Sequence, residues 1–166
     1  MSEPSFVPKT AYVIYIAAAP QKVWAALTSA EFTSQYFFGR NVEIEPKVGG
    51  SFILRMPDGG VDVQGKVVEW DSPRRLSVTW RVMWNEDMRK LPDCLVTYQI
   101  DPLGDAVRLT ITEAYQWAVP EEILAGGRQG WPVILSSLKS LLETGKPIVI
   151  KMQPPKEMVE AIKKLG

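Results

Sequence analysis

The stretch from Gly130 to Gly145, GWPVILSSLKSLLETG, constrains the fold of this chain more than any other. At 100° per residue its apolar side chains, from Trp131 to Leu142, fall within an arc of roughly 120°. Pro132 suits the first turn of a helix, where a missing N–H costs nothing, and Gly145 suits the residue after its last turn, where a positive φ is needed. The stretch predicts an amphipathic helix whose wide apolar face requires a large apolar partner surface.

Most of the chain before this helix has the pattern of β-strands. Ala11–Ile16 is rich in β-branched and aromatic residues, as buried strands are. From Leu76 to Trp84, apolar and polar residues alternate with a period of 2, which indicates a strand with one buried face. Further strands are predicted at 42–45, 51–56, 61–69, 95–100 and 107–112. Short turns rich in Gly, Pro and Asp separate them, which favours an antiparallel sheet with one covered face.

Two short helices are predicted after the first strand. Pro20 begins one helix, and Ser29 or Thr28 caps a second that runs to about Tyr36. The predicted fold is therefore α+β, with a curved antiparallel sheet of about six or seven strands wrapped around the long C-terminal helix. We expect such an arrangement to leave an apolar cavity between sheet and helix.

The chain is predicted to form one domain with two appendages. Residues 1–9 contain two prolines and no periodicity, and are predicted to form a loose arm before a domain at 10–145. The tail at 146–166 begins with prolines and ends in a short amphipathic helix, because Met158, Val159, Ile162 and Leu165 share one face. This helix docks on the domain itself, binds a partner or a second copy, or frays.

Composition excludes several kinds of chemistry. The chain has no histidine, which rules out Ser-His-Asp and Cys-His nucleophiles and His-ligated zinc. Cys94, the one cysteine, has no histidine to activate it and is predicted to be a passive thiol. No metal site and no cofactor are predicted. Any catalysis would use carboxylates, Tyr, Lys, Arg or Cys94.

Charge and hydropathy limit the partners and the location. Nineteen basic residues balance nineteen acidic ones, so the chain lacks the basic excess that nucleic-acid binding requires. No signal peptide and no apolar stretch approaching about 18 residues are apparent. A single cysteine is compatible with a reducing compartment. We therefore expect a cytoplasmic protein without a membrane span.

Several segments resemble the START/Bet v 1-like (SRPBCC) superfamily. They are PQKVWAAL at Pro20–Leu27, GKVVE at 65–69 leading into SPRRLSVTW at 72–80, and Gly130-Trp131 followed by Leu135, Leu138 and Leu142. The most similar branch is the one named for the C-terminal domain of the activator of the Hsp90 ATPase. The resemblance implies a helix-grip fold with a deep apolar cavity under the long helix. It also implies one of several roles: a carrier of small ligands, a cyclase or aromatase of polyketides, or a co-chaperone-like module.

Glu113 is the first candidate for a functional residue. It continues the register of Val107, Leu109 and Ile111, so its side chain is predicted to point inward. A carboxylate among apolar groups has a raised pKa and serves as an acid, a base or a ligand anchor. The alternative is a structural role, in which Glu113 lies near water at the end of the sheet or pairs with a lysine or arginine.

The other candidates are mostly apolar or aromatic. Strand residues predicted to face inward are Trp80, Trp84, Tyr98, Tyr115 and Trp117. The long helix adds Trp131, Leu135 and Leu138, and the loop after the short helices adds Phe37 and Arg40. Aromatic rings with polar tips suit a wall that holds a planar ligand, and Arg40 suits an anionic group of a ligand. The alternative for the aromatic residues is ordinary core packing.

Three hypotheses of function follow. The first is the binding of a small hydrophobic or amphipathic molecule in the internal cavity. The second is a protein-interaction module that uses the outer sheet face or the tail, with a protein partner or a homodimer as its target. The third is a cyclase- or aromatase-like enzyme that uses Glu113 or a tyrosine, although the chain contains no recognisable catalytic motif.

Overall fold

The computed structural model describes residues 5–165 and consists of one sheet and four helices. The strands are Val7–Ile16 (β1), Asn41–Ile44 (β2), Ser51–Arg55 (β3), Val61–Asp71 (β4), Arg75–Val82 (β5), Cys94–Leu103 (β6) and Ala106–Tyr115 (β7). The helices are Pro20–Thr28 (α1), Ala30–Tyr36 (α2), Glu121–Thr144 (α3) and Lys156–Leu165 (α4), and a 3₁₀ turn spans Met88–Lys90.

All strands form a single antiparallel sheet in the order β1-β7-β6-β5-β4-β3-β2. Neighbours in this order are neighbours in the chain except for β1, which joins the sheet at its far edge beside β7. This placement brings the first and last strands together and leaves α1 and α2 to connect the two edges. The predicted α+β fold, with its antiparallel sheet and long C-terminal helix, is confirmed.

Helix α3 is longer than the sequence pattern predicts. It begins at Glu121 rather than near Gly130, so Pro132 lies inside the helix and not in its first turn. Gly126 and Gly127 are also helical, although glycine disfavours a helix interior. Two acidic residues in the first turn favour this start, because they interact well with the positive end of the helix dipole. The predicted end is confirmed, since Gly145 has a φ of 83°.

The core lies between the second half of α3 and the concave face of the sheet. Leu138 is fully buried there, together with Leu109 and Ile111 of β7. Helix α1 also contributes to this core, because its Trp24 packs edge-on against Trp70 of β4, with ring centroids 5.0 Å apart. The leucine-rich face of α3 therefore packs on a large apolar surface of the sheet, as its wide apolar arc predicts.

The first and last described segments of the chain both pack on the rest of the protein. Residues 1–4 of the predicted arm lie outside the described residues, whereas Val7 and Pro8 already belong to β1 and pair with Tyr115 and Ala114. At the other end, α4 docks on α3 through a small cluster of its own, which contains Ile123, Met158 and Ile162. Of the three alternatives predicted for the tail helix, the structure shows the first, in which the helix docks on its own domain.

None of the helices within residues 5–165 has the length and apolar character needed to cross a membrane.

Candidate functional site

A cavity of about 960 Å³ opens at one end of the molecule. It lies between the first half of α3, the end of β5 with the loop that follows, and the segment 36–40 after α2. The irregular segment 148–155, which joins α3 to α4, covers part of it. The cavity is thus built from parts of the chain that are far apart in sequence.

Aromatic rings form the inner wall of the cavity. Trp80 of β5 stands at its centre, with ring centroids 6.2 Å from Phe37 and 5.7 Å from Trp131. Phe37 and Trp131 meet edge to face at 5.8 Å. Because the three rings come from a loop, a strand and a helix, their contacts fix the relative positions of these elements.

Most of the residues predicted for the site lie in this wall. They are Phe37, Arg40, Trp80, Trp84, Glu113, Tyr115, Trp117 and Trp131. Trp84 is 40% exposed and lies at the mouth of the cavity. The indole N–H of Trp117 is buried and has no hydrogen-bond partner among the described residues.

Tyr98, Leu135 and Leu138 lie outside the wall. All three are buried in the packed core, where Tyr98 contacts the ring of Trp131 at 6.1 Å. The sequence suggests a cavity beneath the leucine-rich half of α3, but the cavity of the structure does not lie there. It lies beneath the half that contains Gly126, Gly127 and Gly130, where Gly130 faces open space instead of filling it as the leucines do further along.

Glu113 is the buried carboxylate of the wall, and it points inward as predicted. It is 8% exposed, and the hydroxyl of Thr10 on the neighbouring strand β1 donates a hydrogen bond of 2.8 Å to its Oε1. Burial raises the pKa of Glu113 above its usual value, against the lowering effects of Thr10, Trp131, Tyr12 and the charge of Arg128. The carboxylate is therefore held in a fixed place in a poorly solvated environment.

The groups around Glu113 are neutral at ordinary pH. Burial raises the pKa of the Cys94 thiol and of the Tyr115 phenol, and the charge of Glu113 raises both further. Burial also raises the pKa of Tyr12, whose buried hydroxyl makes no hydrogen bond of normal geometry within the described residues. Cys94 is thus the passive thiol that its sequence context predicts.

Two ion pairs border the cavity. Arg40 donates a hydrogen bond from Nε to Oδ2 of Asp62 at 2.7 Å and another to the carbonyl of Phe38 at 2.9 Å. Arg81 donates from Nε to Oδ1 of Asp93 at 2.8 Å. The guanidinium of Arg40, predicted to suit an anionic ligand, therefore already has a carboxylate partner inside the protein.

The segment that covers the cavity, residues 148–155, is not predicted by the sequence pattern. Ser137 donates a hydrogen bond of 2.7 Å to the carbonyl of Ile148, and Ser140 donates one of 2.6 Å to the carbonyl of Lys146. These bonds hold the start of the tail along α3, and Met158 anchors its end against Gly126. Residues 148–155 have no periodicity, and the one local signal of this contact is Ser137, a polar residue on the buried face of α3.

The part of the chain that the structure describes contains no group of three or more His, Cys, Asp or Glu side chains able to hold a metal ion.

A curved antiparallel sheet that encloses a long C-terminal helix, with a cavity at one end, defines a helix-grip protein of the SRPBCC type. Within this class, the family model described as "Activator of Hsp90 ATPase homolog 1-like protein" matches residues 17–143. The chain belongs to that family. No curated protein matches the sequence.

Solved structures share this fold. CalU16 from Micromonospora echinospora is 20% identical and has a TM-score of 0.66, over 98% of this chain and 91% of its own. The Aha1 dimer from Colwellia psychrerythraea is 22% identical with a TM-score of 0.64, over 82% and 96%. DynU16, described as a protein of the dynemicin biosynthetic locus, is 23% identical with a TM-score of 0.70, over 83% of this chain and 48% of its own. At these identities the likeness establishes the fold.

Proposed function

We propose that this protein binds a small hydrophobic or amphipathic molecule in the cavity beside Trp80 and Trp131. The observation that carries the proposal is the cavity itself, whose volume of about 960 Å³ is close to the upper end of the range for small-molecule sites, about 300–1,000 Å³. The three rings of its wall, which are tilted or edge-on to one another, offer apolar surface against which a planar ligand would bury much of its own surface.

The comparisons support the same proposal. DynU16 is described as a protein of a biosynthetic locus, which connects this fold with small-molecule metabolism in at least one relative. The alignment with CalU16 extends over 98% of this chain, so the likeness in fold is not confined to the sheet and α3.

Gly130 offers a direct test, because it lines the cavity and a β-carbon there would meet no atom within 4 Å. Gly130→Leu should fill part of the cavity without disturbing the fold. Gly130→Ala is the matched control, since it makes the same gain in helix propensity but leaves most of the space free. Thermal shift and native mass spectrometry against a panel of lipids and polyketides should detect a ligand with wild type and with Gly130→Ala, and weaker binding with Gly130→Leu.

Two results would count against ligand binding. One is a panel in which no compound stabilises the wild-type protein or remains bound in native mass spectra. The other is a ligand that binds Gly130→Leu as tightly as it binds Gly130→Ala, which would place the binding site elsewhere.

A second candidate function is that of a protein-interaction module, as the family description suggests for an activator of Hsp90. The observation in its favour is the outer face of β1, where Val13 and Tyr15 are 54% and 53% exposed. Apolar side chains side by side on an edge strand suit a contact with a partner or with a second copy.

Substitutions on this face test the second candidate. Tyr15→Lys should abolish any stimulation of Hsp90 ATPase activity, and any dimer seen by light scattering. Val48→Lys, in the turn between β2 and β3 with 67% exposure, is the control and should change neither. If wild type has no effect on the ATPase and is a monomer, or if Tyr15→Lys behaves as wild type, this candidate is excluded.

A further inference from the structure

The cavity wall contains one buried charge without a counter-charge. Glu113 accepts a hydrogen bond from the hydroxyl of Thr10, and Trp131 and Tyr12 act on it as further neutral donors. No lysine or arginine among residues 5–165 forms an ion pair with it. The basic side chain whose charge reaches it is that of Arg128, which is exposed and bound to Glu121. A buried carboxylate of this kind favours a positive partner, because isolated charges are poorly solvated inside a protein.

The other charges at the cavity do not supply that partner. Arg40 is bound to Asp62, and Arg81 to Asp93. Lys151 of the covering segment also lines the cavity, but it is exposed to solvent and forms no ion pair with Glu113 among the described residues. On the strands packed around Glu113, the titratable neighbours are Tyr12, Cys94, Tyr98 and Tyr115, which carry no positive charge. On α3 the one that acts on it is Arg128, which is exposed and paired with Glu121. The positive charge that would complement Glu113 is therefore to be expected on the ligand.

Aromatic rings reinforce this preference. Trp131 is buried and acts on Glu113 as a hydrogen-bond donor, through the N–H edge of its ring. Trp80 is only partly buried and lies 5.7 Å from Trp131 between ring centroids, so its ring is the one open to a ligand. The faces of tryptophan rings attract cations, most strongly where water is excluded. A group bound at Glu113 would thus lie between a carboxylate and an aromatic wall.

We propose that Glu113 determines ligand specificity, and that the cavity takes a planar apolar molecule that carries a protonated amine. The inference rests on the proposed function and specifies the chemical class of its ligand. The amine donates a charged hydrogen bond to the carboxylate, and the apolar body packs against Trp80 and Trp131. Hydrogen bonds to charged groups contribute about tenfold or more to affinity.

A matched series of anthracene derivatives tests this assignment: anthracenylmethylamine, anthracenylmethanol and anthracene carboxylate. Titration calorimetry with wild type should give about tenfold or greater preference for the amine over the alcohol, and the weakest binding for the carboxylate. Glu113→Gln keeps the shape of the side chain and its acceptor for Thr10. It should bring the amine to the same affinity as the alcohol, while the affinity for the alcohol stays unchanged.

Two controls separate specificity from folding and from general charge effects. Asp58→Asn removes a carboxylate of the turn between β3 and β4 that neither lines the cavity nor forms an ion pair among the described residues, and should leave the preference for the amine intact. Should Glu113→Gln fail to fold, the wild-type protein provides the second measurement. Its affinity for the amine should fall as the pH is lowered and Glu113 becomes protonated, whereas its affinity for the alcohol should stay constant.

The outcomes distinguish this inference from the proposed function. Equal affinity for amine and alcohol, with both weakened by Gly130→Leu, would overturn the assignment of Glu113 and leave ligand binding in place. A preference for the amine that survives in Glu113→Gln would also overturn it. If none of the three probes binds wild type, the amine specificity is refuted, while the lipid and polyketide panel decides the proposed function.

Discussion

The carboxylate of Glu113 lies directly beneath Gly127 of α3, so close that a β-carbon at position 127 would stand 2.5 Å from Oε1. Real side chains do not approach to that distance, so a glycine at 127 allows the helix to pass over the carboxylate. The contact buries Glu113 between helix and sheet at the wall of the cavity. Gly127 therefore lowers the local stability of α3, but it also allows the helix to cover and bury the carboxylate of Glu113.

The first prediction compares two glycines of the same helix. Alanine normally stabilises a helix interior by about 1 kcal/mol relative to glycine, and Gly130→Ala should show this gain because its β-carbon meets open space. Gly127→Ala should instead lower the free energy of unfolding by about 1–3 kcal/mol, the usual cost of overpacking. Urea denaturation of both variants measures the difference.

An equal gain at both positions would contradict this prediction. It would mean that the Glu113 side chain moves aside at no cost, although Thr10 holds its Oε1 at 2.8 Å.

The second prediction concerns pH. Burial raises the pKa of Glu113 in the folded state above its unfolded value. Between these two values the folded protein binds more protons than the unfolded chain, so the contribution of Glu113 to stability falls as the pH rises through this window. Glu113→Gln has no such dependence. The stability of Glu113→Gln relative to wild type should therefore begin to increase as the pH rises past the ordinary pKa of a glutamate. It should level off above the raised pKa of the folded state, where Glu113 is ionised in both states.

Thermal unfolding of both proteins across this pH range measures the effect. The difference between them isolates Glu113, because all other titrating groups are common to both. A difference that is constant with pH, or that changes in the opposite direction, would show that the carboxylate is not destabilised by burial.

The sheet was predictable from sequence because alternation with a period of 2 and turn residues are local signals. Leu76–Trp84 illustrates this, since its inward residues are those that pack on the core or the cavity. The start of α3 was not predictable in the same way. Gly126, Gly127 and Pro132 all disfavour a helix locally, but two of them are required by contacts with Met158 and Glu113 that the sequence does not reveal.

Sequence patterns predicted most of the residues that line the cavity, but they did not predict which half of α3 borders it. The inward register of β7 placed Glu113 correctly, because one residue of slip would have reversed the whole strand. Leu135 and Leu138 belong to the same helix face as Trp131, and periodicity alone cannot tell which part of that face packs and which part borders a cavity. The covering segment 148–155 has no periodic pattern, so its course depends on tertiary contacts.

The third prediction uses the two ion pairs at the cavity. The side chain of Asp62 is 12% exposed, whereas that of Asp93 is 40% exposed. Arg40→Gln leaves a mostly buried carboxylate without its partner and should lower the free energy of unfolding by about 1–3 kcal/mol. Arg81→Gln should lower it by about 1 kcal/mol or less, as is usual for exposed pairs.

Chemical denaturation of the two variants at low ionic strength provides the measurement. If Arg40 instead serves an external anion, Arg40→Gln will be as stable as Arg81→Gln, and addition of a small carboxylate will stabilise wild type but not Arg40→Gln.

The fourth prediction concerns the docking of α4. Met158 packs so closely on α3 that a β-carbon at Gly126 would stand 2.0 Å from its sulfur. Met158→Ala removes the side chain on α4 and leaves a cavity, whereas Gly126→Ala adds a β-carbon on α3 that overlaps with Met158. Both variants should therefore release α4 from α3. Hydrogen exchange of the amides in 156–165 and in the covering segment 148–155 should become faster in both variants.

The matched control is Leu165→Ala, which removes an apolar side chain of the same helix that is 47% exposed. It should leave exchange in both segments unchanged. The main core and the sheet should keep their protection in all variants, because Ile123, Met158 and Ile162 form a cluster separate from the core beneath Leu138. Slow exchange of α4 in Met158→Ala would mean that Ile162 holds the helix by itself. Exchange that becomes faster in the whole sheet would mean instead that the tail and the domain unfold as one unit, against the separation of the two clusters.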